Sequence, residues 1–164
     1  MKLLLQRVRQ GCVRVDGEEV GRVGRGLVVF VGFGMDDGPA LVTSRAWQGM
    51  VHKMVNLRVF PGEQGHCDHS LLEAGAGILL VSQFTLYADC RKGRRPSFSC
   101  AARPEIADPL FHRLAQDLAD LCPHVATGRF GADMDVELVN WGPVTLLLDS
   151  RELFPGSAHE GKTA

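Results

Sequence analysis

No apolar run in these 164 residues approaches the roughly 20 needed to cross a bilayer. The opening Met1-Lys2-Leu3-Leu4-Leu5-Gln6-Arg7 has an apolar stretch too short for a secretory leader. An excess of charge of one sign is missing as well: 18 Lys+Arg face 19 Asp+Glu. That balance argues against a basic coat for nucleic acid and leaves room only for a local patch. The five cysteines (Cys12, Cys67, Cys90, Cys100, Cys122) are odd in number and form no CxxC pair. A disulfide framework or a structural zinc site of the usual spacing is therefore poorly supported, and a reducing compartment is the simpler reading. The glycines of Gly21–Gly26 match neither a P-loop nor a dinucleotide fingerprint. The expectation is a soluble, cytoplasmic protein without metal or organic cofactor.

What is present suffices for one domain. Hydrophobic residues make up 45% of the chain, and a chain of this length buries about 70% of its unfolded surface. Leu3, Leu5 and Val8, then Val13 and Val15, predict a strand with a bend or bulge. Asp16-Gly17 is a turn signal before a strand near Glu19–Val23, and Leu27–Val31 is a continuous apolar run of the buried kind. Asp36-Asp37-Gly38-Pro39 reads as a helix start, with the helix running to Asn56 on Val42, Ala46, Met50 and Met54. A short strand at Leu57–Phe60 and a polar loop at Pro61–His69 follow. In that loop His66-Cys67-Asp68-His69 sets four potential ligands in a row. Neighbours on an extended segment point to opposite faces, so the run reads as a loop and not as a metal site.

Gly77–Leu86 begins as a buried strand and turns polar at its end. Ala88–Arg103 is a loop, and Ile106, Leu110, Leu114, Leu118 and Leu121 mark a second helix starting near Pro104 or Pro109. Three extended segments close the chain: His124–Phe130, Met134–Asn140 and Val144–Leu148. Residues 1–150 are thus expected to form one α/β domain, a mixed sheet with two helices packed on one side, and residues 151–164 a frayed tail.

Three places hold candidate chemistry. Ser82-Gln83-Phe84-Thr85 ends a buried strand in polar groups, which need a cleft or partners. No His, Asp, Glu or Lys lies in that motif, and none of the six histidines has a nucleophile-partner signature. Hydrolysis there would have to rest on positioned donors, with substrate or water supplying the nucleophile. Asn140-Trp141-Gly142-Pro143-Val144-Thr145 places a Gly-Pro step before a strand. In a cis step the backbone carbonyls would form a rim that discriminates by shape. Arg91-Lys92-Gly93-Arg94-Arg95 packs four cations into five residues and suits phosphate.

Ser82–Asp89, the following Arg-Lys-Gly-Arg-Arg-Pro-Ser-Phe, and Asn140–Thr145 together resemble the two signature blocks of the D-aminoacyl-tRNA deacylases, also called D-tyrosyl-tRNA deacylases. Gln6-Arg7-Val8 and Gly128–Met134 are similar too, so the resemblance runs in order from Met1 to about Ser150. It implies a homodimer of three-layer α/β/β subunits that hydrolyses the ester between a D-amino acid and tRNA, and removes glycine mischarged on tRNA-Ala. It further implies that Gly142 and Pro143, joined in cis, reject L-amino acids from within the partner subunit's site. Arg7 would hold their carbonyls. Ser82, Gln83, Phe84 and Thr85 would line the catalytic pocket, Phe130 and Met134 would lie near the terminal adenosine or aminoacyl group, and the terminal ribose 2′-hydroxyl, not Thr85, would act in the reaction. Arg91, Lys92, Arg94 and Arg95 would meet tRNA phosphates. Trp141 departs from the family pattern, where Asp is common, as do the His66–His69 loop and the tail. Ser82 and Phe84 disfavour the related class with Pro-Gln and relaxed chirality. Two other readings stand beside this one: a nucleic-acid-binding module without catalysis on the same fold, and a serine or threonine hydrolase of small esters.

Overall fold

The computed structural model describes residues 1–62, 65 and 67–156. His66 and the segment from 157 onward, on which parts of the loop and tail readings fall, lie outside the described residues. Strand β1 (Lys2–Val15) organises the sheet. Along one edge it pairs antiparallel with β8 (Asp135–Asp149). Along the other, its first half pairs with β3 (Gly26–Gly32) and its second half with β2 (Glu18–Val23). β3 continues in parallel to β6 (Gly77–Ser82) and β6 to β7 (Val125–Thr127), so the sheet is mixed.

Irregular register accounts for the bend expected in β1. Pairing with β8 slips between Val8 and Gln10, and pairing with β2 between Val13 and Arg14. A one-residue slip exchanges the faces of every side chain beyond it. Accordingly Leu3 and Leu5 join the core beneath the helices, whereas Val13 joins a second core on the opposite face with Val8, Val23, Val28, Leu79 and Val81. β3 and β6 feed both cores by simple alternation: Leu27, Val29, Ile78 and Leu80 face the helices, and Val28, Leu79 and Val81 face away.

Helix α1 (Arg45–Asn56) and helix α2 (Pro104–Ala119) cover the first face. Trp47 ties them together, since its buried ring stacks 6.3 Å from Phe33 and its Nε1–H donates to Asp117 of α2 at 2.6 Å. The helix expected from Pro39 to Asn56 is two elements. Pro39–Thr43 is a 3₁₀ turn, and Ser44 (φ −78°, ψ 156°) breaks the path and caps α1 by accepting from the Trp47 N–H. The serine forms a better N-cap than a helix interior residue. Leu121 lies beyond α2 and is exposed, its expected core place being taken by Cys122.

The short strand expected at Leu57–Phe60 is β4 (Phe60–Pro61), and the expected polar loop contains β5 (Cys67–His69), which pairs with it. The segments Met134–Asn140 and Val144–Leu148 are one strand, β8, interrupted between Asn140 and Thr145. Ser150–Leu153 forms a short helix, α3, and Phe154 packs over Gly49 of α1. The boundary placed at residue 150 therefore falls on the first residue of an ordered element. Among the described residues no helix is long and apolar enough to cross a membrane.

Candidate active site

Parallel strands β3 and β6 end side by side at Gly32 and Ser82, and a cleft of about 1040 Å³ opens beyond their carboxyl ends. That is where open α/β sheets place ligands. Gly32 lets the walls approach: a Cβ there would sit 2.8 Å from the Gln83 carbonyl oxygen. The Gln83 N–H donates to the Val31 carbonyl at 2.7 Å, after which Phe84–Tyr87 turns away as a 3₁₀ helix. Gln83 supplies no side-chain cap to that turn, so its leading N–H groups have no partner within the helix. The opposite wall is built over a long sequence separation. Met35 N–H donates to the Cys100 carbonyl at 2.8 Å and Ala102 N–H to the Phe33 carbonyl at 2.9 Å.

Ser82, Gln83, Phe84, Phe130 and Met134 all line the cleft. Phe84 is 53% exposed and meets Phe98 edge-on at 5.0 Å, so two aromatic rings stand at the rim. Phe130 leans on Phe111 of α2 at 5.8 Å. Thr85 is not part of the lining; its hydroxyl accepts from the Gln83 side-chain amide at 2.5 Å. Among the described residues no histidine, cysteine, lysine or glutamate lines the cleft, and the charged side chains there are Asp37, Arg103 and Asp133. Sequence reasoning missed Met35, Phe98 and these three charges. Phe98 closes the Arg-Pro-Ser-Phe block and carried a signal, whereas nothing local marks Asp37, which is set in place by the Gly34 N–H at 2.7 Å.

The basic loop stands next to this rim, pinched at its base by paired Asp89 and Ser97. Arg91 is committed to Asp89 through two hydrogen bonds of 2.8 and 2.6 Å. The guanidinium holds the Asp89 carboxyl well below the usual carboxylate range. Lys92, Arg94 and Arg95 are exposed and, among the described residues, have no carboxylate partner. Three of the four expected cations are thus free to meet an anion.

Gly142 and Pro143 lie elsewhere. Between Gln6 and Val8 β1 advances two residues, while β8 advances five from Asn140 to Thr145. The surplus is extruded as Trp141–Val144, and both Gly142 and Pro143 are exposed. Their peptide bond is cis. Asn140 clasps the neck, accepting from Val144 N–H at 2.9 Å and donating to the Thr145 hydroxyl at 3.0 Å. Arg7 is only 7% exposed and donates to the carbonyls of Trp141 (2.8 Å) and Val59. It therefore holds the carbonyl just before the step and not those of Gly142 and Pro143. Gln6 and Val8 pair with Val28 and Gly26, so this excursion is at the opposite end of β3 from the cleft. The three to five residue steps from Val28 or Gly26 to Val31 span about 10–16 Å.

The family described as D-Tyr-tRNA(Tyr) deacylase matches residues 4–149. This chain belongs to it. D-aminoacyl-tRNA deacylase of Nitratidesulfovibrio vulgaris (strain DP4) is 52% identical over 162 residues, covering 98% of this chain and all of the relative. The deacylase of Solidesulfovibrio magneticus is 53% identical over 154 residues, covering 93% and 98%. A solved structure titled c-Myc DNA Unwinding Element Binding Protein matches with TM-score 0.81 and 36% identity over 91% of this chain and 98% of that one. A probable eukaryotic D-amino acid tRNA deacylase matches in fold, with TM-score 0.77 and 21% identity over 90% and 97%. The deacylase family match spans β1 to β8 and includes both the cleft and the Gly142–Pro143 excursion.

Proposed function

We propose that this chain is a D-aminoacyl-tRNA deacylase, a cytoplasmic hydrolase that cleaves the ester linking a D-amino acid to the 3′ end of tRNA and acts likewise on glycine mischarged on tRNA-Ala. The observation that carries the chemistry is a cleft at the end of β6 with Ser82, Gln83 and Phe84 in its wall and, among the described residues, no histidine, cysteine or lysine. Such a site works by positioning. Water adds to the ester carbonyl carbon, the carbon–oxygen bond to the ribose breaks, and the proton passes to the departing ribose oxygen. The neighbouring ribose hydroxyl of the substrate orients this exchange in place of a protein base. The N–H groups that open the Phe84–Tyr87 turn face the oxygen on which charge develops. Thr85 supports Gln83 and is not the nucleophile.

The Gly142–Pro143 step rejects L-amino acids in trans. It stands three to five residue steps, about 10–16 Å of strand, from its own cleft, which supports service to the cleft of a second copy, with a homodimer as the working unit. A filter made of backbone carbonyls reads the α-carbon and is indifferent to the side chain. Lys92, Arg94 and Arg95 hold tRNA phosphates beside the rim.

Deacylation of matched D-tyrosyl-tRNA and L-tyrosyl-tRNA at limiting enzyme tests this. Release from the D ester alone is expected, with Thr85→Ala keeping most single-turnover activity. Release from neither ester overturns the enzyme reading and leaves a nucleic-acid-binding module. Loss of all activity in Thr85→Ala restores Thr85 as nucleophile.

A further inference from the structure

The extruded segment that carries Gly142 and Pro143 also gathers three guanidinium groups around one indole. Arg7, Arg9 and Arg25 lie 4.7, 4.6 and 5.4 Å from the centre of the Trp141 ring. Arg7 is buried and occupied by carbonyls. Arg9 and Arg25 are exposed, and among the described residues neither has a carboxylate partner. Five arginines elsewhere are ion-paired, Arg14 with Glu137, Arg22 with Glu19, Arg91 with Asp89, Arg113 with Asp117 and Arg151 with Asp36, whereas Arg9 and Arg25 share with Arg94 and Arg95 of the basic loop an exposed guanidinium without a carboxylate among the described residues. The Arg25 backbone is fixed, since its carbonyl accepts from the Gly77 N–H at 3.2 Å, and Arg9 belongs to β1.

We propose that Arg9, Trp141 and Arg25 bind the single-stranded acceptor end of the RNA substrate, the two guanidinium groups on its phosphodiesters and the indole against a base. Cations flanking an aromatic face are the elements with which proteins hold single strands. Like charges gathered on one ring repel each other, and an anion between them relieves that repulsion. Among the described residues, Arg103 is the one cation in the cleft lining and is accompanied by Asp37 and Asp133, so phosphate contacts fall outside the lining, on the basic loop at the rim and on this patch. This inference rests on the deacylase reading, because the patch adjoins Gly142 and travels with it to the partner's cleft, where the acylated strand ends.

The test is filter binding of uncharged tRNA across a series of KCl concentrations. The proteins are wild type, Arg9→Gln/Arg25→Gln, Arg9→Lys/Arg25→Lys and Trp141→Leu, each with its melting curve. Two lost contacts to a single strand make the slope of log K against log salt shallower by about 1.4. The Lys pair keeps the wild-type slope, and Trp141→Leu weakens binding about fivefold or more at constant slope. An unchanged slope in the Gln pair overturns the proposal. Hydrolysis of D-tyrosyl-tRNA by the wild type separates this from the parent reading. A protein that hydrolyses with the slope unmoved loses only the patch. One that binds through the patch without hydrolysing keeps the patch and loses the deacylase assignment.

Discussion

Replacing Gly142 by alanine strikes the excursion at its tightest point. Gly142 has φ +131°, which L side chains rarely adopt, and a Cβ there would lie 2.5 Å from Arg7 Nη2 and 3.1 Å from Val144 Cγ2. An ordinary contact is about 3.5 Å, so one partner must retreat by about 1 Å. If the guanidinium moves, a charge-assisted hydrogen bond to the Trp141 carbonyl is lost, costing about 1.5–3 kcal/mol. If the backbone yields, its strain costs about 1–3 kcal/mol. Either route gives about 2 kcal/mol, which for a chain of this size lowers Tm by about 4–8 °C. On the proposed reading the same displacement moves the carbonyls that meet the α-carbon, so the ratio of D- to L-tyrosyl-tRNA hydrolysis should fall by up to about thirtyfold. Thermal melting and single-turnover deacylation read the two effects. Gly17→Ala is the control, since Gly17 has φ +81° and nothing within 4 Å of an added Cβ; it should lower Tm through strain alone and leave the D/L ratio untouched. A Gly142→Ala protein that melts like wild type and keeps its D/L ratio would refute the reasoning.

Three further substitutions probe the frame and the cleft. In Gly26→Ala the new Cβ would meet the Gly77 carbonyl oxygen at 2.1 Å. β3 and β6 must then separate, and urea unfolding should show a loss above about 3 kcal/mol, beyond the usual range for a single substitution. Phe84→Ala removes half of the exposed aromatic pair at the rim. KM for D-aminoacyl-tRNA should rise about tenfold, as for one lost base–ring stack, with Tm little changed, and an unchanged KM removes Phe84 from substrate binding. The hydrogen bonds from Arg22, and then from Cys12, hold the Glu19 carboxyl at about 2 in place of 4.5. A depressed carboxylate stabilises the fold above its unfolded pKa, and that contribution disappears as pH falls from about 4.5 through about 2. In an NMR titration Arg22→Gln should return the Glu19 midpoint toward 4.5.

How far the sequence carried depends on whether a feature is local. Leu27–Val31 and Gly77–Ser82 announce buried strands because both of their faces are apolar, and each does feed two cores. Ser82-Gln83 is legible as a strand end needing a cleft for the same reason: polar groups at the end of an apolar run require partners. The break at Ser44 had a local signal, a serine three residues before Trp47, but the apolar stripe on either side of it masked the boundary. By contrast, the wall at Met35 exists only because its N–H finds the Cys100 carbonyl, 65 residues on. No periodicity encodes such a pairing. The same holds for β8: read alone, Trp141–Val144 is a turn between two strands, and only pairing of both halves with one β1 shows it as an extrusion from a single strand.

That extrusion makes the proposed sharing of one site between two copies testable in solution. If the filter at one end of β3 serves the cleft of another copy, a subunit with a ruined filter and a sound cleft is repaired by a partner with the reverse defect. Gly142→Ala supplies the first kind, and Gln83→Ala/Phe84→Ala, which keeps Gly142, Pro143 and Arg7, supplies the second. In an equimolar mixture allowed to exchange, half of the sound clefts lie in mixed dimers and face an intact filter, as two-fold symmetry requires. Hydrolysis of L-tyrosyl-tRNA per Gly142→Ala subunit should therefore fall to about half on mixing, since the mixed dimers regain L-rejection. A filter acting within its own chain predicts no change at all. The outcome does not depend on how fast either variant turns over the D ester, because both defects are read through one product from one class of cleft.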